Sequence, residues 1–412
     1  MEKEALRLVI VGSVDHGKST LIGRLFYDTD SLPEGKMEEI QAASEAEGKE
    51  VEFGFIMDHL REERQRGMTI DTARAFFSTD KRDYVIIDAP GHKEFLKNML
   101  TGASQADAAV LICSAYEGVE EQTRRHVYLL RLLGLNQIIV AYNKMDLVGY
   151  EQRRFEKVGA DLHKFLRRID IMPTLEVPIS AKLGENIASR SPNMPWYDGP
   201  TILEGLDRFV KSSLPTEKPV RLPIQDVYEL DGQRVAVGRV ESGILKRGQT
   251  LSFLPSGGRK KVTEIRKFGE QDVEQAGAGE CIGVLFDSDP PGRGAVGCPP
   301  EHLAEPTESF EASVFWLAGK PLKRGEPLTV RCSTQEKACS VGAIRERVDS
   351  STLEHTERDA DALEETEVGE LTINTQSPIV VEKFQEVPEL GRFVLLRGRD
   401  VVAGGIVTSA GA

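Results

Sequence analysis

The stretch LRLVIVGSVDHGKSTLIGRLFY at residues 6–27 decides the fold of the first half of this chain. An apolar run at 6–12 leads into the segment GSVDHGKST at 12–20, and apolar residues then recur at helical spacing. A strand that passes through Gly-x4-Gly-Lys-Ser into a helix is the context in which this motif predicts a phosphate-binding loop. Backbone N–H groups would surround the phosphate oxygens, Lys18 would add positive charge, and Ser19 would offer a hydroxyl to Mg²⁺. By itself the motif indicates a nucleoside triphosphate without naming its base.

Short apolar runs alternate with amphipathic segments through the rest of the first half. This alternation predicts a mostly parallel sheet with helices on both faces, an α/β fold. The predicted strands are 6–12, 84–90, 108–115, 137–144 and 174–180. The predicted helices are Thr20–Tyr27, Glu121–Leu133 and Gln152–Ile169.

The second half has a different pattern. The segment SSLPTEKPVRLP at 212–223 contains three prolines, which stop a helix and indicate a linker. Beyond it, short runs of period two are separated by glycine-rich turns, which is typical of closed or sandwiched antiparallel sheets. A second break at 287–306 divides this half. The predicted architecture is an α/β P-loop nucleotide-binding domain at 1–212, followed by two all-β barrel domains at 213–303 and 304–412.

Composition limits the class of protein. A length of 412 residues predicts two or three domains at about 150 residues each. The net charge of −14 is spread over both halves, so neither half has a general basic field for nucleic acid. Five cysteines without CxxC spacing indicate neither a disulfide framework nor a zinc site. We find no signal peptide and no apolar stretch near the 18 residues of a membrane span, and we expect a cytoplasmic protein.

Three further motifs follow the phosphate loop in order. DAPGH at 88–92 ends an apolar run, so Asp88 is placed to hold Mg²⁺ through water and the Gly91 N–H to bond a γ-phosphate. NKMD at 143–146 ends another apolar run. The carboxylate of Asp146 can accept hydrogen bonds from N1–H and the 2-amino group of guanine, two donors that adenine does not offer. SAK at 180–182 would close the base pocket.

Together the four motifs predict a GTP-binding site that hydrolyses its nucleotide. The predicted contacts to GTP or GDP are Asp15, His16, Gly17, Lys18, Ser19, Thr20, Asp88, Gly91, Asn143, Lys144, Asp146, Ser180, Ala181 and Lys182.

Residues 6–212 resemble the translation-factor class of GTPases, which has histidine directly after DxPG, as His92 stands here, and an RGxTI element like that at 66–70. The resemblance implies that His92 is the catalytic group that orients the attacking water, and that Thr69 ligates Mg²⁺ beside Ser19 and the water-mediated Asp88. It also implies an apolar gate at Val14 and Met68, and a monovalent cation near Asp15.

Two branches of this class fit the chain. The stretches 88–112 and 194–207 resemble elongation factor one-alpha, and the GTP-binding subunit of sulfate adenylyltransferase shares them. The C-terminal stretches 312–335, 347–354, 368–379 and 391–407 resemble the sulfate subunit. On that basis we expect GTP hydrolysis to drive adenosine 5'-phosphosulfate synthesis from ATP and sulfate on a small catalytic partner subunit.

The alternative function is an elongation-factor-like GTPase that delivers aminoacyl-tRNA to the ribosome, and only this alternative involves nucleic acid. Two departures from the sulfate subunits favour it. His16 replaces their second aspartate in the phosphate loop, and RQRGMTI at 64–70 has arginine where they often have glutamine. Within the loop, we interpret His16 as a solvent-facing residue.

Overall fold

A computed structural model describes residues 5–32, 35, 53, 74–87, 106–211, 216–230, 232–270 and 272–411. The chain forms two compact units. The first comprises Met1–Lys211 with Ser350–Leu353, and the second comprises Ser212–Asp349 with Glu354–Ala412. None of the helices in the described ranges is long and apolar enough to cross a membrane.

A six-stranded sheet organises the first unit, in the order β2-β3-β1-β4-β5-β6. Its strands are β1 (Ala5–Gly12), β2 (Arg74–Ser78), β3 (Asp83–Ile87), β4 (Ala108–Ser114), β5 (Ile138–Asn143) and β6 (Leu175–Pro178). Its helices are α1 (Lys18–Asp28), α2 (Glu121–Leu132), α3 (Gln152–Arg168) and α4 (Ile202–Leu206), with a 3-10 helix at Met145–Val148. The three helices predicted from periodicity are confirmed to within two residues at each end.

The central strands are apolar because both of their faces are covered. Every residue of β4 and β5 is buried, which is the pattern of parallel strands inside an α/β sheet. Strand β1 lies between β3 and β4 and is parallel to both. The carboxyl ends of these strands therefore meet at one edge, where ligands of open α/β sheets bind.

The sheet has one strand that the sequence pattern did not predict. Strand β2 pairs antiparallel with β3, with Phe76 opposite Val85, so the sheet is mixed. Only one face of this edge strand is covered: Phe77 stacks on Tyr84 at 4.6 Å between ring centroids, whereas Phe76 is exposed. The run of two phenylalanines hides the period-two alternation, which is why the strand was missed.

The second unit contains two antiparallel barrels, which confirms the predicted fold class. The first closes in the order β10-β11-β13-β8-β7-β14, and β9 pairs with β12 beside it. Its strands are β7 (Leu222–Leu230), β8 (Gln233–Arg239), β9 (Ile244–Lys246), β10 (Thr250–Leu254), β11 (Gly258–Arg266), β12 (Gln275–Gly277), β13 (Cys281–Phe286) and β14 (Val296–Cys298).

The second barrel has the strand order β17-β22-β23-β15-β21-β18-β19, and a further pairing of β17 with β18 closes the ring. Its elements are β15 (Pro306–Trp316), β16 (Leu322–Lys323), β17 (Pro327–Cys332), β18 (Gln335–Asp349), β19 (His355–Arg358), β20 (Ala362–Leu363), β21 (Glu367–Val380), α5 (Pro388–Gly391), β22 (Arg392–Arg397) and β23 (Asp400–Ala410). Each barrel has its own apolar core. The domain boundaries stated above stay predictions.

Candidate nucleotide-binding site

The predicted phosphate loop connects β1 to α1. Strand β1 ends at Gly12, and α1 begins at Lys18 after Gly17, which adopts a left-handed conformation with φ 94°. Its N-cap residue, Gly17, has no side chain with which to cap the helix. Because the first N–H groups of an α-helix have no partner inside it, an uncapped N-terminus offers them to an anion.

Both glycines of the motif are required by close approach. A Cβ on Gly12 would lie 2.3 Å from the carbonyl oxygen of Ile112, and a Cβ on Gly17 would lie 2.3 Å from Asn143 Nδ2. Neither contact is possible for a side chain. The loop therefore lies directly against β4 on one side and against the base motif on the other.

Lys18 lies on the inner side of the loop. Its Nζ donates to the carbonyl oxygens of Gly12 at 2.8 Å and Ser13 at 2.7 Å. Ser19 and Thr20 follow in the first turn of α1, and both are half-buried. Asp15 is exposed at the tip of the loop with φ 62°. The Lys18 ammonium, the N-terminus of α1 and the hydroxyl-bearing residues Ser19 and Thr20 thus lie along one loop, a set of groups that suits the phosphates of a nucleotide.

Asn143 holds three of the predicted motifs together. It is buried at the end of β5, where its Nδ2 donates to the His16 carbonyl at 2.8 Å. Its Oδ1 accepts from the Ala181 N–H at 2.8 Å. One amide therefore ties the phosphate loop to the loop after β6, which brings motifs from three distant parts of the sequence together.

The side chain of Asp146 is oriented by Ser180, whose Oγ donates to Asp146 Oδ1 at 2.6 Å. Ser180 and Ala181 are buried, and Lys182 is exposed. Lys144 adopts φ 64°, and its Nζ lies 2.8 Å from Glu117 Oε1. The carboxylate that would read guanine is thus held by a hydroxyl, as a specific base pocket requires.

The interpretation of His16 as solvent-facing is wrong, because only 1% of its surface is exposed. Val14, at 63% exposed, and Asp15 occupy the tip of the loop, and the chain then turns inward before the left-handed Gly17. The Ser114 N–H donates to His16 Nδ1 at 3.3 Å, and His16 Nε2 lies 3.4 Å from Glu120 Oε2. Burial lowers the pKa of His16, and the Glu120 carboxylate opposes that shift. The neutral ring with its proton on Nε2 fits both contacts.

No sequence motif predicts a role for residues 114–120, which run from the last residue of β4 to the residue before α2. Members of this segment contact the phosphate loop through Ser114 and Glu120 and the base motif through Glu117. Ser13 Oγ also lies 3.0 Å from Thr123 Oγ1, at the start of α2. The segment has no recognisable motif, but it leaves the carboxyl end of the strand next to β1, and that position could have indicated it.

Four predicted site residues lie outside the described residues: Thr69, Asp88, Gly91 and His92. Met68, the second residue of the predicted gate, lies outside them as well. The predicted catalytic group and all three predicted Mg²⁺ ligands, including the described Ser19, therefore stay predictions.

Comparisons with known proteins point to one family. The model described as elongation factor Tu GTP binding domain matches residues 3–212, and the model described as GTP-eEF1A C-terminal domain-like matches 309–408. Elongation factor 1-alpha of Methanopyrus kandleri is 42% identical over 422 residues, covering 98% of this chain and 97% of that protein. Its counterpart in Aeropyrum pernix is 40% identical over 426 residues, covering 99% and 97%. Among solved structures, Sup35 complexed with GDP aligns with 100% of this chain and 95% of that one, at 26% identity and a TM-score of 0.47.

These findings overturn the assignment to sulfate adenylyltransferase, together with its small catalytic partner subunit. Several relatives that match nearly the whole chain are named elongation factor 1-alpha. The four C-terminal stretches that resemble the sulfate subunit all fall inside residues 309–408, which match the GTP-eEF1A model. Most of their residues lie in barrel strands such as β15, β21 and β23, and several of the side chains belong to the core of the second barrel. The chain therefore belongs to the translation-factor GTPases of the elongation factor Tu and elongation factor 1-alpha family.

Proposed function

We propose that this protein is an elongation-factor-type GTPase that binds GTP and delivers aminoacyl-tRNA to the ribosome. Full-length similarity to elongation factor 1-alpha supports the translation role. The hydrogen bonds of Asn143 support the nucleotide role, because they join the phosphate loop to the base loops in one pocket.

Each described part of the pocket would have a defined task. The N–H groups that open α1 and the Lys18 ammonium would hold the phosphates, as the N-terminus of a helix favours negative charge. Asp146, oriented by Ser180, would accept from N1–H and the 2-amino group of guanine. An adenine would leave that carboxylate without donors, which disfavours its binding.

Hydrolysis would involve residues outside the described part of the chain. Ser19 would ligate Mg²⁺ with Thr69 and, through water, Asp88, and bound Mg²⁺ would neutralise charge on the β- and γ-phosphates. His92 would orient the attacking water, with Val14 and Met68 as the apolar gate. The Gly91 N–H would bond the γ-phosphate, so the loss of that phosphate would release this loop. We expect a cytoplasmic location, and a monovalent cation near Asp15 remains part of the proposal.

The nucleotide assignment is tested by base preference. The chain should bind a fluorescent GDP analogue and discriminate against the matching ADP analogue. Asp146→Asn should shift the preference from guanine toward xanthine by at least about tenfold, since the amide offers an N–H where the carboxylate offered an acceptor. Asp161→Asn, which changes an exposed carboxylate on α3, should leave both affinities unchanged. Guanine selectivity that survives Asp146→Asn would place the base elsewhere.

The translation assignment needs its own measurement. With a non-hydrolysable GTP analogue, the chain should bind aminoacyl-tRNA more tightly than deacylated tRNA, and with GDP it should bind both weakly. Ribosomes with a cognate codon should then accelerate GTP hydrolysis. Nucleotide binding without a preference for aminoacyl-tRNA would refute the delivery role and leave the guanine pocket standing.

A further inference from the structure

One described segment contacts both halves of the proposed pocket, although no recognised motif includes it. We name residues 114–120, from the last residue of β4 to the residue before α2, the bridging loop. On the phosphate side its Ser114 N–H donates to His16 Nδ1, and Glu120 lies beside His16 Nε2. On the base side Glu117 Oε1 lies 2.8 Å from Lys144 Nζ. Within the loop, the Ser114 hydroxyl bonds Glu117 Oε2 and accepts from the Glu117 N–H at 3.1 Å.

We propose that Glu117 is a positioning residue of the nucleotide site, which holds the side chain of Lys144 ready for the base and connects it through the bridging loop to His16. This proposal rests on one part of the proposed function, the guanine pocket, and does not depend on the RNA partner.

The geometry argues for a built contact rather than a chance surface pair. One carboxylate oxygen of Glu117 bonds Lys144, and the other bonds Ser114 of its own loop. The side chains of Lys144 and Glu117 are 23% and 31% exposed, so both are partly covered. Burial alone would raise the pKa of Glu117, but the hydrogen bond and positive charge of Lys144 hold it below its ordinary value. The carboxylate is therefore kept ionised beside the ammonium.

A held lysine has a clear advantage for binding. The lysine side chain has a flexible four-carbon stem with a large rotamer entropy, which a bound base would otherwise have to restrict. Lys144 lies between Asn143 and Asp146 in the base motif, so its apolar stem is available to cover the face of a base. If Glu117 orders that stem before the base binds, the entropy cost of ordering it no longer weakens the binding free energy.

The direct test is the rate of GDP release from the full chain, measured with a fluorescent GDP analogue. Glu117→Ala should accelerate release about three- to tenfold, which corresponds to the ordering of one long side chain. Glu117→Gln keeps an acceptor for Lys144 and a partner for Ser114, so it should restore part of the loss. Glu156→Ala removes an exposed carboxylate from α3, which has none of the predicted site residues, and should change nothing.

A double-mutant cycle separates positioning from a structural role of the loop. Lys144→Met keeps the apolar stem and removes the ammonium, so Glu117 has nothing to hold in that background. If the proposal is right, Glu117→Ala will not accelerate release further in the Lys144→Met chain. Effects that multiply, or an unchanged rate in the Glu117→Ala single variant, overturn it. If the parent chain binds no guanine nucleotide, the proposed function fails as well. If the parent binds guanine nucleotide and only the Glu117 variants contradict the expectation, the positioning role alone fails. Thermal unfolding of each variant checks that it is folded. If Glu117→Ala does not fold, the cycle is measured with Glu117→Gln in its place.

Discussion

At the scale of single residues, the direction in which a side chain points was the least predictable property. His16 lies in a polar, glycine-containing loop beside Asp15, and such a composition is typical of exposed residues. Its burial depends on an N–H group contributed by Ser114, far away in the sequence. Nothing local to the loop indicates that contact, because it exists only once β1 and β4 are neighbours in the sheet.

The His16 contact leads to a prediction about one backbone amide. Leucine at position 16 would leave the Ser114 N–H buried without an acceptor, and such a loss costs about 1–3 kcal/mol. Asparagine has an oxygen at the position of Nδ1 and can still accept that hydrogen bond. Hydrogen exchange should therefore show the Ser114 amide protected in the parent and in His16→Asn, but exposed in His16→Leu. Equal protection in all three chains would show that another group accepts this bond.

At the scale of elements, helices were easier to predict than edges and short turns. The three longer helices repeat apolar residues with a period near 3.6 over several turns, which is a strong local signal. Helix α4 is only five residues long, and its start depends on a capping box. Thr201 Oγ1 accepts from the Glu204 N–H at 3.2 Å, and the Glu204 carboxylate accepts from the Thr201 N–H at 3.0 Å.

The capping box gives a prediction about stability. Thr201→Ala should lower the free energy of unfolding of the first unit by about 1 kcal/mol, because it removes the cap from a buried position. Thr201→Ser keeps the oxygen and should lose little. Hydrogen exchange of the β5 and β6 amides gives the measurement, since Gly205 of α4 lies against Leu175 and Ile139 of these strands. If the alanine and serine variants are equally stable, the cap does not stabilise the unit.

At the scale of the whole molecule, charged groups lie between the two barrels of the second unit. Arg221 pairs with Glu382, and both are nearly buried, at 8% and 13% exposed. Glu241 lies next to Arg221 in space, because the Glu241 N–H donates to the Arg221 carbonyl oxygen at 2.8 Å. Burial raises the pKa of Glu241 from its ordinary 4.5 to about 7, Glu389 adds to the rise, and Arg239 and Arg392 oppose it.

The raised pKa predicts a pH dependence of stability. Between pH 4.5 and 7 the folded chain keeps a proton on Glu241 that the unfolded chain releases. Stability therefore falls as the pH rises through this window, and the whole penalty is present above it. Glu241→Gln mimics the protonated form, so it should stabilise the second unit at pH 8 by up to about 3 kcal/mol and hardly at all at pH 4.

Urea unfolding checks this prediction in a Trp196→Phe background, where the remaining tryptophan, Trp316, reports the second unit. Glu274→Gln is a suitable control, because Glu274 is an exposed carboxylate of the same unit that pairs with Arg247. A stability gain that is the same at both pH values would show that Glu241 does not titrate in this range.

Local sequence was enough to predict the phosphate loop, the order of the nucleotide motifs, the three longer helices and the change from α/β to antiparallel barrels. Each of these properties can be recognised in a short segment, because glycine positions, strand-length apolar runs and helical periodicity are local features of the sequence. The assignment of the C-terminal stretches to the sulfate subunit is wrong, because residues 309–408, which contain them, match the GTP-eEF1A model.

Four features could be seen only in the folded chain: the antiparallel edge strand of the sheet, the burial of His16, the two hydrogen bonds of the Asn143 amide, and the contacts of Glu117 in the bridging loop. Each of these depends on hydrogen bonds between residues far apart in the chain, such as Asn143 with His16 or Lys144 with Glu117. Such contacts form when strands take their places in the sheet, and no local pattern of residues encodes which strands become neighbours.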